Sequence, residues 1–148
     1  MLHITILAVG KLKEAYMQAA AADYATRLSR YCRLDIIEVP EDLTVEKEGT
    51  QLLRRLPEQA CCIALDLDGK QMTSPQLASV LEKLPVEGIS HIVCVIGGSD
   101  GLDKRICRRA RIRLCLSEMT FPHQMARLIL LEQLYRAMKI INGEKYHK

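Results

Sequence analysis

The sequence predicts an α/β protein in which a parallel sheet is covered by helices on both faces. Three observations carry that prediction. Five short apolar runs alternate with amphipathic stretches, the pattern expected when each strand returns through a helix to a parallel neighbour. The runs are nearly continuous in apolar character, as in Cys61-Cys62-Ile63-Ala64-Leu65 and His91-Ile92-Val93-Cys94-Val95-Ile96, which suits strands buried on both sides. Helix start and stop signals fall between these runs.

The first strand is expected over residues 2–9. Its stretch, MLHITILAVGKLKE, has no basic leader and no small-residue cleavage site, so it reads as a strand and not a signal peptide. An amphipathic helix follows over about 12–31, then a strand over 34–39. The charged segment 40–49, PEDLTVEKEG, reads as a mobile surface piece overlapping a helix over about 43–56. The third strand, 61–67, runs into Asp68-Gly69-Lys70. Thr73-Ser74-Pro75 puts a capping hydroxyl immediately before a proline at the first helical position, starting a helix over 75–84. The fourth strand, 92–96, runs into the glycine turn Gly97-Gly98-Ser99-Asp100-Gly101. A short helix over 103–110 and a fifth strand over 112–116 come next. The loop 117–121 then leads to a long helix over about 122–142, for which Thr120-Phe121-Pro122 resembles the same capping device and Gly143 is a good stop. No repeat, low-complexity tract or linker interrupts the chain, so residues 1–148 are expected to form a single domain.

Composition narrows the function classes. Hydrophobic residues make up 49% and charged residues 26%, which is globular and argues against disorder. The formal charge of +3 does not by itself announce nucleic-acid binding. No apolar run approaches the ~18 residues needed to span a bilayer. None of the six cysteines forms a C-x-x-C pair, and Cys61, Cys62, Cys94 and Cys115 sit in apolar strand-like runs. Free thiols in a cytoplasmic protein are expected, with no zinc or other metal site.

Two strand ends followed by loops suited to close backbone approach make a place for a small ligand, because open α/β sheets bind ligands beyond the carboxyl ends of their strands. A dinucleotide fingerprint would need its glycines after the first strand, where only Gly10 stands, and the Gly-Lys-Ser/Thr ending of a phosphate loop is absent. The glycine turn can be a ligand cradle or a plain tight turn. The strand end at Leu65, leading to Gly69, makes a third wall available.

On a helical wheel the last helix has one broad apolar arc, while Met125, Ile129 and Ile140 lie outside it among polar residues. A helix apolar on more than one side has two partners, and a second copy of the chain is the simplest. Arg127 projects into the apolar arc, where an unpaired guanidinium is costly, so a ligand, a carboxylate or a cleft is expected beside it; the alternative is snorkelling from the first turn. Lys104, Arg105, Arg108, Arg109, Arg111 and Arg113 form a basic run in which Lys104, Arg108 and Arg111 share a helical face. That field suits phosphates or is solvated surface. The tail adds Tyr146 and His147, a hydroxyl and a side chain that titrates near neutrality.

With these residues in view, the chain resembles the SPOUT methyltransferases, and among them the RlmH (YbeA-type) ribosomal RNA large-subunit methyltransferases. The resemblance runs the whole length: ITILAVGKLKEAY, DIIEVPED, ALDLDGK, VIGGSDGL, MTFPHQMARLILLEQLYRA and GEKYHK. The PEDLTVEKEGTQLL region is shorter than usual and the KRICRRARIR run more basic. The resemblance implies a C-terminal deep trefoil knot, an exception to the rule against threaded loops, and a homodimer. It implies S-adenosylmethionine, held by Leu65, Gly97, Leu116, Ser117, Glu118, Met119, Thr120 and Phe121. The implied reaction is methylation at N3 of a pseudouridine in 23S rRNA on the assembled ribosome. Arg127, Tyr146 and His147 are the expected catalytic residues. Two other readings stand beside it: a non-catalytic RNA- or ribosome-binding module of the same fold, and a small-molecule enzyme using the pocket for another nucleotide.

Overall fold

A computed structural model describes residues 1–146. Strands β1 (His3–Val9), β2 (Arg33–Val39), β3 (Cys61–Gln71), β4 (His91–Ile96) and β5 (Ile112–Cys115) form one sheet in the order β2-β1-β4-β3-β5, parallel throughout. Helices α1 (Ala15–Leu28), α2 (Val45–Arg55), α3 (Ser74–Lys83), α4 (Lys104–Arg109) and α5 (His123–Ile141) alternate with them. The two-residue period of the strands divides the core. Ile4 and Ile6 of β1, Ile63 of β3 and Cys94 of β4 pack with residues of α1, α3 and α5. Leu7, Cys62 and Val93 of the same strands pack with Leu52 of α2 and Ile106 of α4. Both faces are therefore covered, as the alternating pattern predicts. Among the described residues no helix is long and apolar enough to cross a membrane.

Several boundaries differ from the sequence expectation, each for a local reason. β3 continues past Leu67 to Gln71 through a register shift opposite Leu114. Gly69 permits this, since a Cβ there would lie 2.5 Å from the Arg113 carbonyl oxygen. Thr73, not Ser74, caps α3: its Oγ1 accepts from the Gln76 amide at 3.2 Å while Gln76 Oε1 accepts from the Thr73 amide at 2.8 Å. Pro122 is itself the cap residue of α5, so the Thr120 hydroxyl does not repeat that device. At the far end Gly143 (φ +67°) closes α5, with the Glu144 amide donating to the Lys139 carbonyl at 2.9 Å.

Segment 40–49, expected from the sequence to be a mobile surface piece, is exposed over residues 40–44 and anchored at its α2 end. Glu48 is buried and accepts from the Asp42 amide at 3.0 Å, and a Cβ on Gly49 would lie 1.9 Å from Asp103 Oδ2. Close approach of α2 to the start of α4 fixes it. The six thiols are free and all but Cys107 are buried. Burial pushes the Cys32 and Cys62 thiols up to about 11, so they behave as core residues and not as nucleophiles.

At the amino edge of the sheet His3 and His91 are register partners, with rings stacked 3.9 Å apart. His91 Nε2 meets Thr5 Oγ1 at 2.8 Å, and His3 Nε2 meets Asp35 Oδ2 at 2.6 Å, with Arg33 also beside Asp35. Burial, then the neighbouring His3, holds the His91 imidazole below its ordinary range. A base depressed on folding binds its proton more readily in the unfolded chain. Its stabilising contribution is therefore complete above the unfolded pKa and is lost as pH falls through that value toward the folded one. The urea midpoint is expected to drop from about pH 7 to about pH 5.5, spanning the ordinary imidazole range. The drop should be smaller in His91→Gln; an equal drop in both proteins would show that His91 is not its source.

Candidate functional site

The carboxyl ends of β3, β4 and β5 open into a cavity of about 820 Å³. Its walls are Leu65 and Leu67 of β3, residues 97–102 after β4, residues 114–117 and 119–122 around the β5–α5 loop, and His123 and Ala126 of α5. Sheet order explains the convergence, because β3 lies between β4 and β5. The β4 turn folds on itself: the Gly101 amide donates to the Gly98 carbonyl at 3.1 Å, and Gly101 adopts φ +92°. A Cβ on Gly97 would lie 2.5 Å from the Gly101 carbonyl oxygen, so no larger residue fits without moving the turn. In the facing loop, Ser117 Oγ accepts from the Met119 amide at 3.0 Å. Leu67 and Met119 are largely exposed, leaving large apolar side chains at the rim.

Of the residues expected to hold a ligand, Leu65, Gly97, Leu116, Ser117, Met119, Thr120 and Phe121 line this cavity. Glu118 belongs to the same loop but is not among the lining residues. Sequence reading places His123 beside the pocket, the only histidine there, without giving it a role, and does not assign Leu67. His123 Nε2 is buried and has no hydrogen-bond partner among the described residues. Its position as the first residue of α5, directly after a cavity loop, was the available signal.

Arg127 lies on the other side of the first turn of α5. It lines a second cleft, of about 280 Å³, with Lys11, Leu12, Gln18, Ala21, Ile36 and Glu38. The carboxylate expected beside it is Glu38, with Nη1 to Oε2 at 2.5 Å, and Nη2 donates to the Gly10 carbonyl at 2.9 Å. Arg127 is 2% exposed, so the guanidinium does not snorkel. Its Nε is buried and has no hydrogen-bond partner among the described residues.

Tyr146 lines neither cavity. The tail folds back on α5: the Tyr146 hydroxyl donates to Glu132 at 2.8 Å, its ring packs edge-on to Tyr135 at 4.9 Å, and Glu144 meets Lys139 at 2.6 Å. His147 lies outside the described residues. The basic run does not form the single face expected, because α4 ends at Arg109 and Ala110 is extended. Arg105 pairs with Asp103, Arg109 donates to the carbonyls of Pro57, Glu58 and Ala60, Arg111 pairs with Glu87, and Arg113 with Asp66. These cations are mostly internal ties.

The family model described as "Predicted SPOUT methyltransferase" matches residues 2–147. A protein of Acetivibrio thermocellus named Ribosomal RNA large subunit methyltransferase H is 48% identical, covering 99% of this chain and all of its own length. Proteins of the same name from Clostridium beijerinckii and Bifidobacterium adolescentis are 45% and 48% identical with the same coverage. The alignments extend over 159 residues against 148 in this chain, so the relatives carry insertions relative to it.

The Glu132 carboxylate, first by accepting the Tyr146 hydroxyl, pushes that phenol up to about 12. Replacing Glu132 by Gln removes the charged acceptor. Spectroscopic titration should then show Tyr146 ionising at lower pH than in the parent protein, with Tyr24, raised by burial and then by the same carboxylate, moving in the same direction; superimposable curves would mean that the tail does not dock on Glu132 in solution.

Proposed function

The chain belongs to the SPOUT methyltransferase family, and from that premise we propose that it methylates large-subunit ribosomal RNA with S-adenosylmethionine as donor. The observation that carries this reading is the single cavity walled by the β4 glycine turn and the β5–α5 loop. The name borne by the relatives supports the RNA substrate. In finer terms, the acceptor is N3 of a pseudouridine in 23S rRNA, presented on the assembled ribosome, and the enzyme is a cytoplasmic, single-domain homodimer. Met125, 41% exposed, and half-buried Ile129 leave an apolar strip on α5 that supports a second copy as partner. A deep trefoil knot at the C-terminal part of the fold is the reading that family membership supports.

The cavity suits the donor by size, lying within the range of about 300–1,000 Å³ usual for small-molecule sites. Leu65, Leu116 and Phe121 can cover the faces of an adenine, while backbone groups of the Gly97 turn and of the loop from Ser117 to Thr120 read its edge; the Met119 amide is already taken by Ser117 Oγ, and Glu118 stands outside the lining. When bound, the donor supplies a sulfonium methyl group: its S–CH3 bond breaks as the N–CH3 bond forms, and the acceptor imide gives up its proton. The loops contribute by holding the reacting centres in line, which for a displacement supplies much of the rate. Arg127 stabilises the negative charge that develops on the acceptor. His147, with Tyr146, is assigned as base or positioner; because the Tyr146 hydroxyl rests on Glu132, its part in that role requires it to leave α5.

Incubation with labelled S-adenosylmethionine and ribosomes, free subunits or naked rRNA tests the reaction. Label is expected in 23S rRNA of assembled ribosomes; no label under any condition rules the reading out. Arg127→Ala should lower kcat by about 100-fold or more, the scale of one lost charge-stabilising donor, with donor affinity retained. Removal of residues 144–148 should also lower kcat. Full turnover in either variant removes the corresponding role. Ribosome binding should weaken steeply as salt rises, because phosphate contacts release counterions; a flat response contradicts phosphate-borne binding.

A further inference from the structure

We propose that Glu38 is a positioning residue for Arg127, fixing the guanidinium plane so that it faces the acceptor. This rests on the reading of Arg127 as the group that stabilises acceptor charge. Two contacts from different elements grip the guanidinium: Glu38, near the end of the edge strand β2, takes Nη1, and the Gly10 carbonyl, just beyond β1, takes Nη2. Two fixed contacts on a planar group define its orientation. Gly10 sustains its half of the grip with φ +83°, and a Cβ there would lie 2.8 Å from Glu41 Oε1. In the β1–β2 register Glu38 lies opposite Ala8, a small core residue on the face covered by α1 and α5.

The two partners differ in exposure. The Arg127 side chain is 3% exposed, but that of Glu38 is 32% exposed at the cleft. Partial exposure spares Glu38 much of the desolvation cost of the pair and leaves it in reach of whatever occupies the cleft. Lys11 also lines the cleft, and the Glu41 carboxylate lies beside Gly10. In this setting Glu38 contributes orientation and Arg127 contributes charge.

Glu38→Gln, Arg127→Ala and the double variant test the pairing through kcat, KM for ribosomes, donor affinity by calorimetry, and melting temperature. Glu38→Gln should lower kcat by about tenfold to 100-fold, the scale of a small misplacement of a reacting group, with donor affinity unchanged. In the Arg127→Ala background it should cost nothing further. Wild-type kcat in Glu38→Gln beside a large loss in Arg127→Ala overturns the proposal, as do losses that multiply in the double variant. Wild-type kcat in Arg127→Ala instead defeats the reading of Arg127 itself. If Glu38→Gln does not fold, Glu38→Asp draws the carboxylate back by one methylene: reduced kcat with unchanged donor affinity supports positioning, and wild-type kcat overturns it.

Discussion

Parallel pairing of all five strands is the constraint on which the rest of the molecule depends. It sends every strand's carboxyl end to one edge of the sheet and requires a crossover between successive strands, which supplies the helices on both faces. The order β4-β3-β5 then makes neighbours of three loops that are far apart in sequence. A cavity at that edge follows from the topology, and the composition of the loops decides what it can hold. Glycine in the β4 turn brings backbone close, and leucine and phenylalanine in the others offer apolar faces.

The same edge explains the placement of Arg127. α5 begins where the β5 loop ends, so its first turn stands between the ligand cavity and the cleft beside β2. Burying a guanidinium there is costly unless it is paired and hydrogen-bonded. Glu38 and the Gly10 carbonyl meet most of that requirement, and Nε, without a partner among the described residues, is the remainder. A buried cation held on one side and unsatisfied at another donor is an arrangement that core packing alone does not explain. The tail is organised differently: Tyr146 and Glu144 dock on side chains of α5 itself, at Glu132 and Lys139, away from both cavities.

Much of this was legible in the chain. The strand alternation, the two-sided core and most of the ligand-cavity lining follow from apolar runs and from the residues that end them. What was not legible depends on partners distant in sequence. The bulge that prolongs β3 needs the Arg113 carbonyl across from Gly69, and the ordering of segment 40–49 needs Asp103 against Gly49. The basic run looked like one helical face because its spacing is helical, but the extended Ala110 breaks the period. Glu38 is invisible as a site residue in sequence, being one acidic residue on an edge strand until α5 brings Arg127 to it. Roles for the tail came from family resemblance, since nothing in its spacing assigns chemistry to it.

The central claim is that the β4 turn and the β5–α5 loop act as one donor-binding device. Amide hydrogen exchange with and without S-adenosylmethionine tests it most directly. Protection of residues 97–102 and 116–121 rising together on donor binding is the predicted result. Protection confined to one loop, or appearing elsewhere while both loops exchange as before, would contradict it.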